Sequence, residues 1–221
     1  MARSDTRTQL LDAAERLFAE HGFRGTSIRA ITDLAGANLA AVGYHFGSKA
    51  DLLAAVARRA VAPITAAQTA GLDRLLAASP DPTVADLVEA FAGPLFDGMP
   101  ADATRAHRSR LIVAVITDPA PEMRAWTTPA EDTLRARYLA AFQRALPGLP
   151  TEELGFRLRG TLAVTAVDRV DASHTPTASC RPGTPPGAGS PTAPSPEANA
   201  SARRWAITFL TAAMSAPPTG S

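Results

Sequence analysis

The sequence lacks any sustained strand-like alternation of β-branched residues, and it lacks an excess of charge. Its 221 residues carry 22 basic and 21 acidic side chains, a formal net charge of +1. So small an excess gives no global signal for nucleic acid, and any DNA contact must rest on local features. Lysine is nearly absent: Lys49 stands alone among arginines. The single cysteine, Cys180, excludes an intrachain disulfide, and no Cys/His cluster has zinc spacing, so neither metal nor cofactor is expected. No leader pattern is seen at Met1–Asp5, which runs into a charged amphipathic stretch. The longest apolar runs, such as Leu111–Ile116, fall far short of the ~18 residues that span a bilayer. A cytoplasmic protein without membrane contact is the expectation. No Ser/His/Asp grouping, Gly-rich phosphate loop or paired-carboxylate motif is present, which argues against an enzyme.

What remains is helical periodicity, and an all-α fold of about nine helices is expected. Leu10, Ala14, Leu17 and Phe18 share one face of a helix over about 6–21, with Asp5 as its N-cap and Gly22 as its stop. Thr26 is the expected cap of a short helix over 27–34, with Ile28, Ile31 and Leu34 as its apolar stripe. Ala35-Gly36-Ala37 makes a tight turn, and Asn38 caps a second short helix over 39–46. Gly47 ends it, and Ser48 with Asp51 three residues on opens a long helix to about Ala78. Pro63 should kink or split that helix.

Pro80-Asp81-Pro82 is a break. Thr83 then caps a helix that carries Val84, Leu87, Val88, Phe91 and Leu95, with Pro94 disturbing its last turns. Further helices are expected over about 103–117, 121–146 and 151–171. Residues 172–196, rich in Pro, Ser, Thr and Gly, cannot build a core and are expected to be a linker. A final helix over about 197–215 is apolar on two faces, with Trp205, Phe209, Ala212 and Ala213 on one and Ile207, Leu210 and Met214 on the other. Such a helix needs two partners.

The two short helices behind a longer first one have the dimensions of a helix-turn-helix, whose second helix enters the major groove. Thr26 and Ser27 stand at a helix N-terminus, where free N–H groups favour a phosphate. Arg29 and Lys49 flank the second helix and can neutralise phosphates; Tyr44 and His45 end it and can bond to backbone oxygens. Residues 1–52 hold six basic and six acidic side chains, but from Arg24 to Lys49 three basic residues face Asp33 alone. Phe18, Phe23 and Phe46 read as core.

These residues carry a resemblance. Leu10-Leu11-Asp12-Ala13-Ala14, Phe18, Gly22-Phe23, Gly25-Thr26-Ser27-Ile28-Arg29, Ile31, Ala35-Gly36, Tyr44-His45-Phe46-Gly47-Ser48-Lys49 and Leu52-Leu53 look like the DNA-binding domain of the TetR family of transcription regulators. Asn38-Leu39-Ala40-Ala41-Val42 is similar to a subgroup with Asn-Leu-Ala-Ala in the recognition helix. The resemblance implies a DNA-binding domain at about 5–50 and a helical effector-binding and dimerisation domain at about 51–215, with the linker inside it. It implies a homodimer on a palindromic duplex operator, most often a repressor released by a small-molecule effector; a ligand-independent or activating regulator is the alternative. A helical enzyme or ligand carrier with a DNA-binding-like head is the alternative from another class.

By position, the resemblance makes Thr26, Ser27, Tyr44 and Lys49 phosphate contacts, and sets Asn38, Leu39, Ala40, Ala41 and Gly43 against the groove. His45 contacts phosphate or packs. The family often has a larger residue where Gly43 stands. No side chain of this set offers a bidentate contact to guanine, so site choice falls to Asn38, Arg29 or DNA shape. Phe91, Leu95, Met99, His107, Arg110 and Trp126 are candidates for an effector pocket. Leu158, Leu162, Trp205, Phe209 and Ala213 are candidates for the dimer seam, a four-helix bundle of the last two helices with their mates.

Overall fold

A computed structural model describes residues 5–96, 111–112, 129–171 and 196–218. The described residues form eight helices and no strand: α1 (Thr6–Gly25), α2 (Ile28–Ala35), α3 (Ala40–Phe46), α4 (Lys49–Ala78), α5 (Val84–Phe96), α6 (Pro129–Ala145), α7 (Thr151–Asp171) and α8 (Pro196–Ser215). The helix expected over 103–117 and the linker lie almost wholly outside the described residues.

Local chemistry sets the helix ends. The Asp5 carboxylate accepts from the Arg7 amide at 3.4 Å. Gly22, at φ +69° and ψ 176°, breaks the helical path of α1, and one further turn carries it to Gly25. That stop was legible; the added turn was not. Thr26 does not cap α2, as had been expected. Ser27 does, its Oγ accepting from the Ala30 amide at 3.0 Å. The Thr26 hydroxyl turns inward to the carbonyls of Gly22 (2.8 Å) and Leu17 (3.0 Å) at the end of α1. A hydroxyl with two interior acceptors is better satisfied there than at an exposed helix start.

Gly36, left-handed at φ +62°, ends α2. Asn38 caps α3 as expected, Oδ1 accepting from the Ala40 amide at 2.9 Å, and Ser48 caps α4 through the Asp51 amide at 3.0 Å. Pro63 neither ends nor splits α4, which runs through it from Lys49 to Ala78. Pro63 lies on the exposed side of that helix, so its ring displaces no core side chain.

Two apolar cores organise the chain. The first gathers Leu10, Phe18, Ile31, Val42, Leu52, Val56 and Ile64 with Leu95, Leu111 and Ile112. It therefore joins the three N-terminal helices to the first half of α4 and to the body. The second holds Leu72, Leu87, Leu134, Tyr138, Phe142, Leu154, Leu158, Leu210 and Met214.

Polar links span both cores. Arg59 on α4 reaches back to α1, to Asp12 at 2.7 Å and Glu15 at 2.5 Å. The Tyr138 hydroxyl on α6 lies 2.9 Å from the carbonyl of Ala90 and 2.8 Å from that of Gln68. The Ala90 carbonyl is free for it because Pro94, four residues on, has no N–H to donate. Burial raises the Tyr138 phenol above its ordinary pKa. Arg157 on α7 clasps the end of α8, its guanidinium within hydrogen-bond distance of the carbonyls of Ala213, Met214, Ala216 and Pro217 and of Glu153.

Candidate nucleic-acid interface

The site is built around α3, a helix of seven residues held by its inner face. Val42 is buried in the first core, and Ala41 and Phe46 pack against it. Ala41, expected at the groove, is half-buried and packs in part against that core. The opposite side is open. Leu39 and Tyr44 are among the large apolar residues most exposed to solvent, Tyr44 at 86%. Ala40 and Gly43 are exposed between them. Positions 39, 40, 43 and 44 share one helical face by the i, i+3, i+4 rule, so they form one continuous surface.

That surface is small and neutral, and Gly43 has open space where a side chain would stand. Asn38 begins it, exposed, with its carbonyl oxygen spent on the cap and its amide N–H₂ free to donate outward. His45 is half-buried, its ring edge-on to Tyr44 at 4.9 Å between centroids.

Charge lines the rim. Arg29 is exposed on α2 and Ser27 stands exposed at its start. While its Oγ accepts from Ala30, the Ser27 hydroxyl proton remains available to a phosphate. Lys49 opens α4 with its ammonium 4.3 Å from the centre of the Phe23 ring. Partial burial there pulls its pKa below the usual lysine value. Thr26 is only 3% exposed. Its side chain therefore supports the rim from within and does not face a phosphate.

Sequence reasoning missed Arg7, which the fold places with its guanidinium 5.2 Å from the centre of the Phe46 ring. No spacing rule links residues 7 and 46, since the contact exists only when α1 lies across the end of α3.

Residues 10–56 match the family described as bacterial regulatory proteins, tetR family, and residues 89–184 match the tetracyclin repressor-like C-terminal domain. The chain belongs to the TetR family. The HTH-type transcriptional repressor AcnR of Corynebacterium glutamicum is 38% identical over 55 residues, 25% of this chain and 29% of that protein. The HTH-type transcriptional repressor KstR2 of Rhodococcus jostii is 43% identical over 56 residues, 25% of this chain and 28% of that protein. The chain thus aligns with less than a third of the length of these curated relatives. Among solved structures, a TetR family transcription regulator from a Shewanella species aligns with a TM-score of 0.63 at 16% identity, over 95% of this chain and 98% of that one. AmtR of Mycobacterium smegmatis aligns with a TM-score of 0.55 at 20% identity, over 96% and 88%. These two likenesses concern the fold.

Elsewhere the TetR-type body differs in part from what the sequence suggested. Leu158 does not face outward; it is buried in the second core, and Leu162 is half-buried against the first. Both sit on the side of α7 that faces its own chain. Among the described residues of α7 and α8, Trp205 (73% exposed), Phe209 and Phe156 are exposed, together with Ala163, Ala212 and Ala213. Phe156 had not been singled out, because it interrupts the Leu154–Leu158 stripe and reads as noise in it. Of the pocket candidates, Leu95 is buried in the first core, and Phe91 is half-buried, edge-on to Tyr138 at 5.0 Å. Met99, His107, Arg110 and Trp126 lie outside the described residues. Among the described residues, no helix is long and apolar enough to cross a membrane, and no group of His, Cys, Asp and Glu could hold a metal.

Proposed function

We propose that this TetR-family chain is a DNA-binding transcription regulator acting as a cytoplasmic homodimeric repressor. One observation carries the reading. A short helix is pinned into a core by Val42 and Phe46, leaves Leu39, Ala40, Gly43 and Tyr44 exposed, and is flanked by Ser27, Arg29 and Lys49. The small outward residues suit close approach to the major-groove floor, and the rim cations suit phosphates. Ala40 is placed to meet thymine methyl groups and Asn38 to donate to a base or phosphate.

A single head of this size reads too few bases. Two heads about one turn of DNA apart double the contacts on a palindrome. The exposed aromatics of α7 and α8 suit a seam for a second copy, and the run Asn38-Leu39-Ala40-Ala41 favours the subgroup with Asn-Leu-Ala-Ala in its recognition helix. A small-molecule effector in the body would release DNA by binding one head spacing more tightly than the other.

The test is selection of duplex fragments from the source genome by the full-length protein, followed by a reporter with the gene present and deleted. A recovered palindrome with lower reporter output in the presence of the gene supports a repressor. Higher output would make the protein an activator. Failure to retain any fragment at low salt would refute the reading, as would retention insensitive to salt.

A further inference from the structure

Four cations of the N-terminal head are held in two different ways. On one side of α1, Arg16 pairs with Glu20 and Arg59 with Asp12 and Glu15. Around the C-terminal end of α3 the pattern changes. There Arg7 lies over Phe46 and Lys49 over Phe23, and no described carboxylate lies within ion-pair distance of either cation. The acids closest in sequence are otherwise engaged: Asp5 accepts from the Arg7 amide and Asp51 from the Ser48 hydroxyl. A guanidinium stacked on a ring keeps its full charge and its N–H edge for a second partner.

From this geometry we infer that Arg7 is a further contact to the DNA backbone and that Phe46 is its positioning residue. The inference rests on the reading of α3 as the groove helix. Phe46 is the last residue of that helix and packs inward against the first core. An arginine stacked on it travels with α3 and not with the flexible end of a long side chain. The ring thus fixes where the charge stands relative to Tyr44 and Lys49. The ligand chemistry is a phosphodiester oxygen, which a planar N–H edge meets well.

The test uses the full-length protein and a mixed-sequence duplex of about 30 base pairs, long enough for two heads. Binding is followed by fluorescence anisotropy between roughly 50 and 200 mM salt. Arg7→Gln should lower the melting temperature by no more than about 1–4 °C, since an exposed cation stacked on a ring adds little stability. It should flatten the slope of log K against log salt by about 1 per head and weaken binding roughly tenfold to a hundredfold in the dimer. Arg7→Lys should retain the slope. Phe46→Leu should weaken binding in the wild-type background and add little in the Arg7→Gln background.

An unchanged slope in Arg7→Gln would overturn the assignment while leaving the groove helix standing. An equal loss from Phe46→Leu in both backgrounds would overturn the positioning role. A wild-type protein that retains no duplex would overturn the reading of the head itself, and the assignment with it.

Discussion

Removal of the Arg59 side chain tests how the head is fixed to α4. Glu15 is 4% exposed as a residue, and Arg59 reaches it at 2.5 Å with 29% of its own side chain exposed. Asp12, the other partner, has a side chain 64% exposed. The Asp12 contact is therefore a surface pair, good for about 0.5 kcal/mol. The Glu15 contact differs, because truncation of Arg59 takes the guanidinium away from a desolvated carboxylate. Breaking a fully buried pair costs about 3–5 kcal/mol, and the solvent reaching Arg59 lowers this to about 2. One term opposes it: the buried Nε of Arg59 has no hydrogen-bond partner, and its loss returns up to about 1 kcal/mol.

The net expectation for Arg59→Ala is a destabilisation of about 2 kcal/mol, or a melting temperature lower by about 4–8 °C for a chain of this size. Differential scanning fluorimetry measures it. Joint replacement Arg59→Leu with Glu15→Leu should cost less than Arg59→Ala alone, since no charge is then left desolvated. A loss under about 0.5 kcal/mol in Arg59→Ala, or a double replacement worse than the single one, would refute the reasoning.

Three further outcomes follow from the same geometry. Gly43→Ala, in a helical position with open space around the new methyl, should raise stability by about 0.5–1 kcal/mol in thermal unfolding. Tyr138→Phe should cost about 1–2 kcal/mol by leaving the Ala90 carbonyl without its donor. Because the folded phenol is held above its ordinary value of 10.0, wild-type stability should be intact below about pH 10 and fall above it, as the unfolded chain ionises first; melting curves of Tyr138→Phe should lack this part of the alkaline decline. Trp205→Glu places a charge in the exposed apolar patch of α8 and should shift sedimentation towards monomer, with at least about a hundredfold weaker dimer; an unchanged dimer would move the seam elsewhere.

Much of the head was legible because its determinants are local. Asn38 and Ser48 announce helix starts within three residues, and Gly22, Gly36 and Gly47 announce ends. Thr26 was misread because Ser27 beside it carries the same signal, and only the tertiary fold shows which hydroxyl turns inward. Leu158 was misplaced for a related reason. A helix repeat tells which residues share a face but not whether that face meets its own chain or a second one. Arg7, Arg59, Tyr138 and Arg157 act across 39 to 70 residues of sequence, and no pattern in the chain links them to their partners in advance.

The clasp of Arg157 on the last carbonyls of α8 bears on how two copies would meet in the proposed dimer. Free helix ends fray, and a fraying end must be ordered whenever something docks on it. Here the end is tied to α7 before any partner arrives, so the patch of Phe156, Trp205 and Phe209 is presented ready-made. Association then loses little chain entropy at that end. Loss of the clasp should show first in the tightness of association and in amide exchange at the end of α8, well before it shows in the melting temperature.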